Sequence, residues 1–168
     1  MDSQLTTRVA SEQDIESIRM IYNQGIEDRI ATLETEQKDL TFMKNWFKQH
    51  QGRYKVLVAE HNGKVVGWAS LNQYSLRCAY NGVADLSVYI RRDYRGKGIG
   101  TKLLQDIEEL AILHQFNKII LFTFSFNELG QRLYRRSGFR EVGVLEKQGQ
   151  MDGKFIDVMI MEKLLIDE

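Results

Sequence analysis

Hydrophobic residues recur at two different spacings along the chain, and their order predicts helices alternating with strands. Apolar residues between 15 and 26 follow at intervals of three and four, which gives one apolar helical face. A second, shorter amphipathic helix is predicted over 40–47, after a polar and irregular stretch. Longer helical patterns follow over 98–114 and 127–137, so the sequence predicts about four helices.

Seven extended segments lie among these helices. Asn62-Gly63 joins two of them as a hairpin, because both residues tolerate the positive φ of a tight turn. One segment is almost continuously apolar, which is typical of a strand buried on both faces. The predicted strands cover residues 5–10, 54–60, 65–71, 83–90, 118–124, 139–145 and 154–164. This order favours a mixed α/β (α+β) domain, with an antiparallel front half and βα units behind it.

Length and composition set the protein class. The 168 residues suit a single domain over 1–168 with one sizeable core. Lysine and arginine number 23 and so do aspartate and glutamate, so no basic excess points to nucleic acid. No apolar run approaches the roughly 20 residues of a membrane span, and the start lacks signal-peptide features. We therefore expect a cytoplasmic location and no membrane partner.

Cysteine and histidine usage argues against a metal site. Cys78 is the lone cysteine, so the chain has neither an internal disulfide nor a thiolate cluster. We interpret it as a small buried hydrophobic residue rather than a reactive thiol. His50, His61 and His114 lie far apart and show no ligand spacing. We expect no metal cofactor.

A glycine-rich loop between a predicted strand and a predicted helix is the clearest candidate for ligand chemistry. Residues 95–101 contain three glycines and two cations. Glycine lets the backbone approach an anion closely, and the N–H groups that begin a helix point toward it. Such a loop can bind a pyrophosphate, although many glycine-rich turns only join a strand to a helix. Its spacing matches neither the Walker loop nor the dinucleotide-binding fingerprint.

The loop does resemble the acyl-CoA loop of the GNAT superfamily of N-acetyltransferases. That loop reads Arg/Gln-x-x-Gly-x-Gly/Ala, and here it is Arg95-x-x-Gly98-x-Gly100. The preceding strand, 86–90, is similar to the one that pairs with pantetheine in that family. Asn127 and the segment Leu133-Tyr134-Arg135-Arg136-Ser137-Gly138-Phe139 resemble the family's C-terminal motif. The resemblance covers nearly the whole chain.

Four segments place the resemblance closest to the phosphinothricin and methionine sulfoximine N-acetyltransferase branch. These segments are Ile21-Tyr22-Asn23, 77–80, 83–89 and 153–158. The resemblance implies the GNAT fold, a mostly antiparallel mixed sheet of about seven strands flanked by about four helices. It also implies transfer of an acetyl group from acetyl-CoA to a primary amine of a small molecule, an amino acid or an analogue of one. Direct attack in a ternary complex would need no covalent enzyme intermediate.

The resemblance also assigns the acetyl-CoA site. Backbone N–H groups of 95–101 would bind the pyrophosphate, and Arg95 and Lys97 would add positive charge there. Val88 and Ile90 would bond pantetheine, and the Val88 amide would stabilise the oxyanion. Asn127 would bond the pantetheine or phosphate arm, and it is equally suited to be a helix N-cap. The implied co-substrate residues are Val88, Ile90, Arg95, Gly96, Lys97, Gly98, Ile99, Gly100, Thr101 and Asn127.

Two residues are candidates for proton transfer. Asp85 lies three positions before Val88, where the resembling branch carries a glutamate proposed as the general base. An unperturbed aspartate is a weak base, so burial would have to raise its pKa, and its short side chain favours a water relay. Otherwise Asp85 is an ordinary residue at the start of a strand. Tyr134 would return a proton to the thiolate, or it packs its helix on the sheet, or both.

Acceptor recognition is less specified. Arg77 and Tyr80 match positions that the branch uses around the acid group of the acceptor, although Arg77 is equally a solvated loop cation. Ser75 stands where the branch has a second cation. Three other departures are Leu33, Phe124 and Phe126, which replace more typical aromatic or polar residues. These departures predict an acceptor that is less acidic or more apolar than phosphinothricin.

Three other functions fit parts of the sequence. A CoA-binding module without turnover would lack Tyr134 or the loop, and this chain has both. A protein- or peptide-directed acetyltransferase is neither supported nor excluded by the neutral charge. An RNA-directed toxin of the same superfamily is disfavoured because the chain has no basic excess. A homodimer is expected only from the family resemblance.

Overall fold

Seven strands and four α-helices alternate along residues 4–166, which are the residues that the computed structural model describes. The strands are β1 Leu5–Val9, β2 Val56–His61, β3 Lys64–Gln73, β4 Val83–Ile90, β5 Lys118–Phe124, β6 Arg140–Met151 and β7 Lys154–Leu164. The helices are α1 Ile15–Asp28, α2 Leu40–Lys48, α3 Ile99–Leu113 and α4 Glu128–Arg136. The predicted fold class is confirmed.

The strands form one sheet in the order β1-β2-β3-β4-β5-β7-β6. All neighbours are antiparallel except β4 and β5, which run parallel. That parallel pairing is short, because it covers only Val83 to Asp85 opposite Lys118 to Ile120. The remaining residues of β4 still pair with β3, so β4 and β5 separate beyond Asp85. This separation opens the middle of the sheet.

Helices cover the two faces of the sheet differently. On one face, α1 and α2 pack on Val56, Val58 and Trp68. On the other face, α3 packs on Leu57, Ala69, Leu71 and Leu86. Because side chains alternate along a strand, neighbouring residues of β4 point into opposite halves of the molecule. Tyr89 packs with the α1 and α2 cluster, whereas Val88 and Ile90 pack with α3.

The Asn62-Gly63 hairpin forms as predicted, and both residues have positive φ angles of 52° and 79°. One element differs: β6 extends to Met151, six residues beyond the predicted end. The extension is an edge strand that pairs only with β7 and carries two register shifts. Its side chains are mostly exposed, so burial imposes no alternating pattern from which the strand could be recognised.

The interpretation of Cys78 as a buried residue is wrong. Cys78 is exposed, in a short 3₁₀ turn (Cys78–Tyr80) between β3 and β4. Every residue from 76 to 80 in this connection is exposed, because the turn projects beyond the ends of the strands that it joins. Within residues 4–166, no helix combines the length and apolar character needed to cross a membrane.

Candidate active site

A cleft of about 740 Å³ occupies the opening between β4 and β5. One wall is β4 from Asp85 to Ile90, whose edge toward β5 has no strand pairing after Asp85. Unpaired backbone N–H and C=O groups on such an edge can bond an extended ligand as an added strand would. The other walls come from 30–32 after α1, the loop 94–101 and α4.

The glycine-rich loop lies at one end of this cleft. Gly96 has φ 76°, and Gly98 has φ 85° where it caps the N-terminus of α3. These left-handed conformations favour glycine, and they turn the chain so that the first N–H groups of α3 face the cleft. Gly100 also contacts α4, since a Cβ there would lie 2.7 Å from the Leu133 side chain. The geometry fits an anion-binding site.

The two cations of the loop are held by other protein groups. The Arg95 guanidinium pairs with Asp28 of α1 at 2.7 Å and also contacts the Ile90 carbonyl at 3.3 Å. The Lys97 ammonium lies 5.3 Å from the centre of the Tyr94 ring. Arg95 lines the cleft, whereas Lys97 is not among the lining residues. Backbone N–H groups are therefore the main anion donors in this conformation.

Asp85 is a largely buried carboxyl group in the wall of the cleft. Its Oδ2 accepts a hydrogen bond from Asn72 Nδ2 at 3.1 Å. Burial raises its pKa to about 6, and the hydrogen bonds from Asn72 and from the Leu86 backbone oppose that rise. Desolvation disfavours the charged form more than the two donors favour it. The result is a carboxylate that is a much better proton acceptor near neutral pH than an exposed aspartate.

Tyr134 reaches the cleft from α4. Its ring packs edge-on against Phe139, with ring centres 5.9 Å apart, and belongs to the cluster beneath α3. Burial raises the pKa of Tyr134 to about 12, so the phenol keeps its proton at neutral pH. Both of its expected roles, packing and proton donation, are compatible with this position.

The two candidate proton-transfer groups approach β4 from opposite faces. Asp85 shares the face of Tyr89, on the side of α1 and α2. Tyr134 packs with Val88 and Ile90, on the side of α3 and α4. A nucleophile beside Asp85 and a leaving group beside Tyr134 would thus meet at the unpaired edge of β4. This division suits a reaction in which one group takes a proton and another supplies one.

Asn127 is confirmed as a helix N-cap. Its Oδ1 accepts from the Gly130 N–H at 3.1 Å, and its Nδ2 lies 3.3 Å from Thr123 Oγ1. The side chain also lines the cleft, so it can serve a ligand while it caps α4. Nine of the ten predicted co-substrate residues line the cleft, with Lys97 as the exception.

The predicted acceptor residues lie apart from this lining. Arg77 directly precedes the exposed 3₁₀ turn and Tyr80 ends it, where the Tyr80 ring makes an edge contact with Tyr74, with ring centres 6.2 Å apart. Neither is among the cleft-lining residues.

The three substitutions that suggested an apolar acceptor also lie outside the cleft. Phe124 is buried with Leu33 in a small cluster, and Leu33 packs over Gly149 of β6. Phe126 is exposed and lies against Phe124, with ring centres 5.0 Å apart. These three residues therefore give no support to an apolar acceptor from the lining of the cleft, and the character of the acceptor stays a prediction.

Several cleft residues had no role assigned from the sequence. They are Tyr22, Thr32, Ser87, Tyr89, Phe122 and Thr123. Ser87 and Tyr89 follow from Asp85 by the two-residue alternation of a strand. Tyr22 and Thr32 come from α1 and the segment after it, and they reach Tyr89 only through folding. No local pattern signals that approach.

Comparison with known proteins identifies the family. Residues 17–139 match the model of the acetyltransferase (GNAT) family. The chain belongs to this family. A Bacillus subtilis relative named as a candidate phosphinothricin acetyltransferase is 35% identical, with 96% of this chain and 99% of the relative covered. A Pseudomonas aeruginosa L-methionine sulfoximine/L-methionine sulfone acetyltransferase is 33% identical, with 92% and 91% covered.

A solved structure links the cleft to its co-substrate. The Sinorhizobium meliloti GNAT phosphinothricin acetyltransferase, solved in complex with AcCoA, has a TM-score of 0.90 and 28% identity. It covers 96% of this chain, which covers 88% of that one. The protein is therefore an acyl-CoA-dependent N-acetyltransferase, and acetyl-CoA is its co-substrate. The glycine loop, the unpaired edge of β4 and the volume of the cleft all fit this molecule.

A matched pair of glycine substitutions tests the anion role of the loop. Gly96 and Gly63 both have positive φ, of 76° and 79°, and a Cβ at either would meet open space. We expect Gly96→Ala and Gly63→Ala each to lose about 1 kcal/mol of stability, because both strain the backbone. Only Gly96→Ala should raise the Kd for acetyl-CoA, by about tenfold, measured by calorimetry. Equal Kd values for the two variants would contradict the role.

Proposed function

We propose that this single-domain enzyme acetylates the primary amine of a small amino-acid-like molecule. The observation that carries the proposal is the unpaired edge of β4, with the Asp85 carboxyl group on one face and Tyr134 on the other. Relatives named for methionine sulfoximine and phosphinothricin support the acceptor class. A protein-directed function is less favoured, because this part of the site is a cleft rather than an extended surface.

Asp85 is the proposed general base. The acceptor amine is mostly an ammonium ion at neutral pH, and only its neutral form has a lone pair for attack. A carboxylate with a pKa near 6 removes this proton, directly or through one water, and still regenerates readily in solvent. The amine then forms a bond to the thioester carbonyl carbon, and the carbonyl electrons move to oxygen. The Val88 N–H is the proposed donor to that oxyanion.

Tyr134 is the proposed general acid. When the tetrahedral intermediate collapses, the carbonyl reforms and the C–S bond breaks, with the electron pair leaving on sulfur. A phenol with a pKa of about 12 holds its proton until that charge appears beside it. Transfer of the proton gives free CoA and a tyrosinate, which solvent reprotonates. The attacking nitrogen gives its second proton to water as the amide forms, and the amide product and the thiol are then released.

Arg77 and Tyr80 remain proposed as acceptor-binding residues. Both lie in the connection between β3 and β4, directly before the strand that carries Asp85. Within the described residues, the arginines among the cleft-lining side chains are Arg95 and Arg136, and Arg95 already pairs with Asp28. An acceptor carboxylate could therefore pair with Arg136 of α4 or, from outside the lining, with the exposed fork of Arg77.

A thiol-release assay with acetyl-CoA tests this function. The panel should contain neutral amino acids, methionine sulfoximine, phosphinothricin, polyamines and a lysine-rich peptide. We expect turnover with amino-acid analogues, and Arg77→Gln should raise KM for a carboxylate-bearing acceptor by about tenfold with little change in kcat. Turnover confined to the peptide would favour the protein-directed function. Acetyl-CoA binding without any turnover would favour a binding module.

Assembly and location remain proposals from the resemblance. A homodimer would bury some of the exposed apolar side chains of β6 and β7, such as Val142, Val144 and Phe155. Sedimentation at several concentrations measures this directly. A cytoplasmic location agrees with an enzyme that depends on acetyl-CoA.

A further inference from the structure

A hydrogen-bonded chain connects Asp85 to a histidine outside the cleft lining. His50 Nε2 lies 2.8 Å from Asn72 Oδ1, and Asn72 Nδ2 lies 3.1 Å from Asp85 Oδ2. Two serines complete the cluster: Ser70 Oγ contacts Asn72 Oδ1 at 2.9 Å, and Asn72 Nδ2 contacts Ser87 Oγ at 2.9 Å. The Asn72 amide is therefore the link between the imidazole ring and the proposed base.

Strand register and a helix end bring these groups together. Asn72 lies directly opposite Asp85 in the β3–β4 ladder, so both side chains point to the face covered by α1 and α2. His50 follows the C-terminal end of α2, where its ring stacks on Trp46 with centres 4.3 Å apart. Its Nδ1 lies 2.8 Å from the Trp46 carbonyl oxygen. The ring is thus fixed at both nitrogens.

Donor and acceptor counting allows two arrangements of the protons in the cluster, and the first has the amide orientation of the structure. A carbonyl oxygen only accepts, so His50 Nδ1 must carry a proton toward Trp46. With the amide oriented as described, Nε2 faces the Asn72 oxygen and must also donate. In this arrangement both ring nitrogens donate, while the Asn72 NH₂ group donates to the Asp85 carboxylate and to Ser87. Every polar atom of the cluster is satisfied.

An amide flip gives one other arrangement in which every atom is satisfied. The Asn72 NH₂ group would then donate to a neutral His50 Nε2 and to Ser70 Oγ. The Asn72 oxygen would accept from Ser87 and from a protonated Asp85. Both arrangements hold one proton, either on the ring or on the carboxyl group, and the amide orientation distinguishes them. Only the first leaves Asp85 able to accept a proton.

We propose that His50 is a positioning residue for Asp85 and acts through the Asn72 amide. Its second ring proton directs the amide oxygen toward the ring and the NH₂ group toward Asp85, which keeps the carboxyl group ionised. The inference rests on the proposed role of Asp85 as the base. His50 is a positioning residue, because it touches neither substrate nor the reacting atoms.

Other titratable groups face the same side of β4 and stay constant in the test. They are Tyr22 of α1, Glu34 of the following segment and Tyr89 of β4, and Tyr134 acts on Tyr89 from the opposite side of β4. Tyr22 donates to Glu34, and Lys38 pairs with Glu34 at 2.5 Å. None of these residues is substituted in the variants of this test, so a changed pH profile reports the His50–Asn72–Asp85 chain.

The test is the pH profile of kcat/KM for the amine at saturating acetyl-CoA. His50→Phe keeps an aromatic ring on Trp46 but removes both N–H donors. We expect the acid limb of its pH profile to shift to higher pH by about one unit, because loss of the donor favours the protonated form of Asp85. Activity below the limb then falls about tenfold, while the alkaline plateau and KM for acetyl-CoA stay within about twofold. His114→Phe, at the C-terminal end of α3, is the matched control and should not move the limb.

A double substitution separates action through Asn72 from an independent effect. Asn72→Leu alone should also shift the acid limb to higher pH. Adding His50→Phe to Asn72→Leu should cause no further shift. If His50→Phe destabilises the fold, His50→Gln keeps an uncharged donor and should give a smaller shift of the same sign. A wild-type limb in the His50 variants, or shifts that add in the double variant, would overturn the inference. An unchanged profile in Asp85→Asn would instead reject the proposed base.

Discussion

Asp85→Asn is expected to lower kcat/KM for the amine by about 100-fold to 1000-fold, the range for loss of a general base. The amide keeps the size of the side chain and can still bond Asn72, but it cannot accept a proton from an ammonium group. The Kd for acetyl-CoA should stay unchanged, because Asp85 faces α1 and α2 rather than the loop. Steady-state kinetics and calorimetry measure the two effects separately.

The pH profile of kcat/KM tests the same role of Asp85 in a second way. A base works only when ionised, so wild-type kcat/KM should fall as the pH drops through the raised pKa of about 6. Asp85→Asn should show a low activity without that acid limb. Asp152→Asn, at an exposed carboxyl group in the β6–β7 turn, should keep the wild-type profile. An Asp85→Asn enzyme with most of its kcat/KM at every pH would remove Asp85 from the mechanism.

Tyr134→Phe is expected to lower kcat by about 100-fold while KM for acetyl-CoA changes by less than about twofold. The ring contact with Phe139 survives the substitution, so packing should be kept. Only the proton donor to the departing thiolate is lost. The loss should be smaller with a thioester whose thiol is more acidic, because that leaving group needs less help from an acid.

Tyr54→Phe is the matched control for Tyr134→Phe. Tyr54 also packs in the large cluster, against Phe116 at 5.7 Å between ring centres, but it lies outside the cleft lining. Removing its hydroxyl should leave kcat near the wild-type value. Equal turnover in Tyr134→Phe and wild type would show that solvent or the acceptor reprotonates the thiolate.

Most of the fold follows from local patterns in the sequence. Helical spacing predicts α1, and the continuous apolar run at 118–124 predicts β5 at its observed bounds. The far half of β6 could not be predicted in this way. An edge strand is held by backbone hydrogen bonds to one neighbouring strand. Its exposed side chains show no regular alternation of hydrophobic and polar residues.

The proposed co-substrate site also follows from the sequence more directly than the proposed acceptor site. Its groups are backbone atoms of one continuous loop and one strand, so residues that are close in the sequence are also close in the structure. Other parts of the cleft lining come from Tyr22, Thr32 and Phe122, which belong to three separate segments. Leu33 and Phe124 pack against each other rather than into the cleft, which no local pattern in the sequence indicates.

The sequence alone determined the glycine loop, the strand before it and the candidate pair Asp85 and Tyr134. Backbone conformation and strand alternation depend on residue type and spacing, which the sequence states directly. The tertiary structure alone decided that Arg95 binds Asp28, that burial raises the pKa of Asp85 and that His50 is linked to Asp85 through Asn72. Solvation and hydrogen bonding depend on groups distant in the chain, and only folding brings those groups together.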